Sequence, residues 1–206
     1  MYDFFIKGGV FMYPILLCSI LSLAMLLERI WSLRKNKVIP KNFLIDIEDL
    51  ISRGKVPEAI TLCKKNKTSI ANIFLEAIKN YGRERNHIKE VVEEVGRREI
   101  ASLEKYISAL ATIANVSTLL GLLGTISGMI KIFSVIAIQP VVNPSSLAGG
   151  ISEALYTTAF GLTVAIPTLV FHKFLSSKID SITIEMEENS INLIKLLTTG
   201  RKEYEV

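Results

Sequence analysis

The feature that most constrains this chain is the segregation of its charge. Gly8 to Leu27, about 108–138 and about 147–174 are almost free of charged side chains, while the stretches between and after them are dense in Lys, Arg, Asp and Glu. A soluble domain interleaves polar and apolar residues at helix or strand period. Separation on this scale points to membrane crossings, each needing about 20 apolar residues. The averages agree: half of the 206 residues are hydrophobic and the mean hydropathy is +0.39.

The first apolar run ends in Glu28, Arg29 and Trp31 and has only Lys7 before it. A cleavable signal has a shorter apolar core behind a basic start, so the run reads as an uncleaved span. The net charge of +4 does not indicate nucleic acid, because the basic residues are mixed with acids and flank the apolar runs, as they do beside membrane spans. Cys18 sits in an apolar run and Cys63 in a Lys-rich one, so no disulfide is expected between them. No Cys/His cluster suggests a metal. Nor is there a nucleophile–base arrangement or a phosphate loop; the glycine-rich strings lie inside apolar helices. The chain reads as no enzyme and needs no cofactor.

The expected fold is all-α: three transmembrane helices, two of them extended far into the cytoplasm. The segments are 1–31 with the first span, a charged helical region 32–107, a second span 108–138, a loop 139–147, a third span 148–174 and a helical tail 175–206. Apolar spacing predicts short helices over Phe43–Ser52, Val56–Lys65 and Ser69 to about Tyr81. Gly54 stops the first of them, Pro57 stands in the first turn of the second, and Ser69 caps the third. From Asn86 the apolar spacing stays near-helical straight into the second span. One helix of about 50 residues would be about 75 Å long, well beyond the hydrocarbon thickness of about 30 Å. Most of the 24 Lys and Arg fall between the first two spans and none in the loop. The positive-inside rule then places the N-terminus in the periplasm and the C-terminus in the cytoplasm.

Small and weakly polar residues recur along one face of each later span. In the second these are Ala114, Ser117, Gly121, Gly124, Thr125 and Gly128; in the third, Gly150, Ala154, Thr157 or Thr158, Gly161, Ala165 and Thr168. Such stripes let helix backbones approach closely in lipid. A threonine can bond its own helix and still face a polar pathway, so Thr125 and Thr158 are candidates for more than packing. Two ionisable residues stand inside the spans and must face protein, water or the interface. Glu153 could accept from a partner or line a pore entrance, and Lys131 is expected to snorkel outward.

Two strings carry a family resemblance: Ser117 to Phe133, STLLGLLGTISGMIKIF, and Gly149 to Phe174, GGISEALYTTAFGLTVAIPTLVFHKF. Together they resemble the signature of the ExbB/TolQ/MotA proton-channel family. The layout of three spans fits its ExbB/TolQ branch, because MotA proteins have four. The resemblance implies a homopentameric ring around the helices of two copies of an ExbD/TolR-like single-span partner, whose membrane aspartate is protonated and released as protons cross. It implies that Thr125 and Thr158 surround that aspartate, that Glu153 is the glutamate of the ISEAL string and that Pro167 is the proline of the VAIP string. Gly121, Gly124, Gly128 and Gly161 would serve helix packing, with Pro167 as a kink. The complex would sit in a bacterial inner membrane and energise a TonB- or Tol-type process, with a TonB/TolA-like protein as a further partner. The residues agree on one absence: the spans hold no aspartate, so a relay would need a carboxylate from elsewhere. The competing expectation is a membrane scaffold whose stripes only pack helices.

Overall fold

The computed structural model describes residues 8–138 and 144–199, and those residues form helices and turns without a strand. The helices are α1 (Met12–Ser32), α2 (Lys35–Val38), α3 (Lys41–Ser52), α4 (Val56–Lys65), α5 (Ser69–Lys79), α6 (Arg85–Ile138) and α7 (Pro144–Thr199). Three of them, α1, α6 and α7, are long and apolar enough to cross a membrane. With 54 and 56 residues, α6 and α7 far exceed the length of one crossing.

Two compact units divide the chain. The first comprises residues 1–29 and 106–175, the second 30–105 and 176–206. In the first, most of the apolar surface is left uncovered. Only 17%, 22% and 33% of the three span windows is buried, and side chains such as Leu119, Ile130, Phe133, Leu155 and Val170 stand exposed. A water-soluble protein does not tolerate apolar area on this scale; lipid or neighbouring apolar helices must cover it. What is buried is the small-residue seam and a few larger anchors, Met12, Ile15, Leu110 and Leu175. Arg29, in the last turn of α1, lies 4.3 Å over the Tyr106 ring and is only 5% exposed. A cation there complements the helix C-terminus, and the ring face compensates part of its lost hydration.

The second unit has an ordinary hydrophobic core. Phe43, Ile47 and Ile51 of α3, Ile70, Phe74 and Ile78 of α5, Ile88 and Val92 of α6, and Ile182, Met186 and Leu193 of α7 pack together. The Phe43 and Phe74 rings meet at 6.0 Å between centroids. Each such side chain contributes about 1.5–3 kcal/mol by leaving water. Both cysteines are free thiols. Cys63 is enclosed in this core, and burial pushes its thiol up to about 12, because a thiolate there would lose its hydration.

The helix ends show where sequence spacing was and was not enough. Gly54, at φ +71°, closes α3 as expected. The cap of α5 is Thr68 and not Ser69: Thr68 has extended backbone and its hydroxyl accepts from the Ala71 N–H. Two adjacent hydroxyl residues compete for this place, and the one outside the helical dihedrals takes it. At the far end, α7 already begins at Pro144, so 144–147 is helical instead of loop. Proline's fixed φ and missing N–H suit a first helical position. The remainder of the expected loop, 139–143, lies outside the described residues. The α7 helix also continues through Pro167, which lies on its exposed side.

Candidate ion-pathway site between α6 and α7

The small residues of the two long helices face one another. A methyl group at Gly121 would stand 3.3 Å from the Thr158 Cα and 3.5 Å from the Gly161 Cα. At Gly161 it would come 2.7 Å from the Ser117 carbonyl oxygen and 3.0 Å from the Gly121 Cα. At Gly128 it would meet Ala154 and, at 3.1 Å, the Gly150 carbonyl oxygen; at Gly124 it would run into the Thr157 side chain. All four glycines therefore stand where the helices come together; at Gly161 the facing backbone itself leaves no room for a β-carbon, and at Gly124 the Thr157 side chain takes that room. Without a hydrophobic drive in lipid, this proximity is what dispersion and interhelical hydrogen bonds require.

Thr158 makes such a bond. Its Oγ1 donates to the Gly121 carbonyl of α6 at 2.8 Å. In a regular α-helix that same carbonyl accepts the N–H of the residue four positions on, which is Thr125. The two threonines thus share one carbonyl across the helix pair. Thr125 turns its own hydroxyl to the Leu122 carbonyl at 2.6 Å, and both threonines remain half-buried. A hydroxyl that donates to a carbonyl keeps its lone pairs free to accept. Thr157, which the sequence pattern could not separate from Thr158, has a different environment. It is 1% exposed, and its hydroxyl lies 2.6 Å from the Gly8 carbonyl and 2.8 Å from the Glu153 carbonyl. One hydrogen serves both acceptors, and Thr157 fastens the N-terminal segment to α7.

Glu153 lies more than a helical turn from Thr158, toward the start of α7. Its Oε1 accepts from Lys131 Nζ at 2.5 Å, joining α7 to α6. Lys131, expected to snorkel outward, is paired with this anion on the facing helix, its side chain still more than half exposed. Gly9, at φ +70°, presses against the Glu153 carboxylate, which occupies the place a β-carbon would take. Only glycine adopts this conformation without cost and leaves that space. Nothing in the sequence tied the Gly8–Gly9 pair to position 153. Apart from Glu153, no acidic residue occurs from 106 to 179. Among the described residues, no group of three His, Cys, Asp or Glu side chains could hold a metal ion.

The sequence profile of the MotA/TolQ/ExbB proton channel family matches residues 65–188. The chain belongs to that family. An ExbB-like protein of Synechocystis sp. is 38% identical over 80% of this chain and 79% of its own length. The Tol-Pal system protein TolQ of Haemophilus influenzae is 28% identical over 96% of this chain and 91% of its own. The structure of C. jejuni MotAB is similar with a TM-score of 0.46 at 17% identity, covering 94% of this chain and 80% of that one. As a MotA/TolQ/ExbB family member with three helices suited to membrane crossing, the chain is a multi-pass membrane protein. The family is one of proton channels and transport proteins, not of enzymes.

Proposed function

We propose that the chain is the proton-channel subunit of an inner-membrane motor of the ExbB/TolQ type. It works with an ExbD/TolR-like single-span partner and uses the proton motive force to energise a TonB- or Tol-type process. The observation that carries this is the Thr158 hydroxyl crossing to the Gly121 carbonyl one turn before Thr125, whose own hydroxyl bonds the neighbouring Leu122 carbonyl, in helices with no carboxylate at that level. Hydroxyls can accept from and orient a protonated acid, but they do not carry a proton at neutral pH. A carboxylic acid from a partner helix supplies what is missing, and the exposed apolar faces of α6 and α7 are surfaces that ring neighbours and lipid would cover.

In this reading Thr125 and Thr158 line the pathway, Glu153 stands at its periplasmic end, and Gly121, Gly124, Gly128 and Gly161 hold the helices together. Pro167 weakens α7 locally, because the Thr163 carbonyl has no N–H from position 167 to accept. The ring is a homopentamer around two partner copies, with the N-terminus in the periplasm, 32–107 and 175–206 in the cytoplasm, and a TonB/TolA-like protein receiving the work. Protons are the transported ion and no cofactor takes part. Thr125→Val and Thr158→Val nearly keep side-chain volume while removing the hydroxyl. Proton uptake by liposomes containing the purified complex should fall sharply in both, with the mass of the complex unchanged. A scaffold that only packs helices would instead retain wild-type behaviour in both variants.

A further inference from the structure

We infer that Lys131 sets the ion selectivity of the pathway by cancelling the charge of Glu153. The inference rests on the proposed channel function. Glu153 is the one acid from 106 to 179, and Lys131 the one Lys or Arg from 106 to 172. The fold brings these two together, Nζ to Oε1 at 2.5 Å, across the α6–α7 seam. The Lys131 side chain is the more exposed partner, 55% against 26% for that of Glu153. Gly9 covers another side of the carboxylate, and the carboxylate lies one turn from the Thr157 hydroxyl that fastens Gly8.

Rings of bare carboxylates make cation-selective mouths, because they replace part of a metal ion's hydration and favour its charge. A ring of these subunits repeats Glu153 in every copy, and alone it would be such a mouth. Lys131 in the same copy brings the pair to zero net charge and places a cation where a sodium ion would have to bind. A proton needs no site of that kind: it passes along water to the partner's acid, which the threonine hydroxyls orient. Lys131 thereby excludes metal cations and leaves the pathway open to protons.

The test uses the complex purified with its own partner and reconstituted in liposomes, with sodium and proton uptake read in parallel by ion-sensitive dyes. Lys131→Arg should keep the wild-type ratio of sodium to proton flux. Lys131→Gln should raise it about tenfold or more, a small part of what a unit charge exerts at contact distance. The double variant Lys131→Gln with Glu153→Gln is neutral again and should return sodium uptake to the wild-type level. Native mass spectrometry establishes that each complex remains whole. If Lys131→Gln leaves the ratio unchanged while the wild type passes protons, this inference alone is overturned. If the double variant leaks sodium as Lys131→Gln does, the leak comes from loosened packing and the inference is again overturned. A wild-type complex that passes neither ion overturns the channel function and this inference with it.

Discussion

Gly161→Ala adds one methyl group at the tightest point of the α6–α7 seam. The added carbon would stand 2.7 Å from the Ser117 carbonyl oxygen, 3.0 Å from the Gly121 Cα and 3.3 Å from the Gly121 nitrogen, whereas ordinary contact begins near 3.4 Å. All three neighbours are backbone atoms of α6, so no rotamer change relieves the clash. The helices must separate by several tenths of an ångström, which stretches the Thr158–Gly121 hydrogen bond from 2.8 Å. Overpacking of this kind costs about 1–3 kcal/mol. The rigid neighbours place Gly161 near the upper end, and the better helix propensity of alanine returns about 1 kcal/mol. A net loss of about 2 kcal/mol remains, which for a chain of this size lowers the unfolding temperature by about 4–8 °C. Gly149→Ala is the control, since nothing lies within 4 Å of its added methyl; it should unfold no lower than wild type. Thermal unfolding in mild detergent, followed by circular dichroism, measures both. Unfolding of Gly161→Ala at the wild-type temperature would refute the close approach of the two helices.

Gly9→Ala forces a β-carbon into a left-handed backbone and against the Glu153 carboxylate. It should cost about 1–2 kcal/mol and loosen the N-terminal segment, read as faster amide exchange at Gly8 and its neighbours with the 30–105 region unaffected. Cys63 should resist alkylation by iodoacetamide at pH 8 in the folded protein and react at once in denaturant, because the thiolate is the nucleophile. The same raised value, from 9.0 to about 12, means the folded state holds a proton that the unfolded state releases above pH 9.0. Its stability contribution is therefore present below pH 9.0 and falls as pH rises toward 12. Replacing Cys63 by Ala should flatten the alkaline limb of a denaturation series.

The architecture was legible because membrane helices write themselves in long charge-free runs, and the short helices of the 30–105 region in apolar spacing bounded by Gly54 and Pro57. The continuity of α6 followed from the lack of any strong breaker after Asn86. The site was legible only as stripes. A stripe shows which residues share a face, but not what each of two adjacent threonines bonds. Thr157 and Thr158 differ by one position and about 100° around the helix, and only the partner atoms, Gly8 on one side and Gly121 on the other, tell them apart. The Lys131–Glu153 pair was hidden for a related reason: the two residues lie on helices joined by a connector of unknown register, so neither spacing nor periodicity brings them together. Arg29 over Tyr106 joins the first span to α6 across an even longer separation in sequence.

In the proposed channel these helices form a ring whose proton-carrying acid comes from another chain. Native mass spectrometry of the protein, gently extracted from its own membrane, tests it most directly. The expected result is a pentameric assembly carrying a small single-span protein with a carboxylate in its span. An assembly of this chain alone, which nonetheless takes up protons in liposomes, would contradict it.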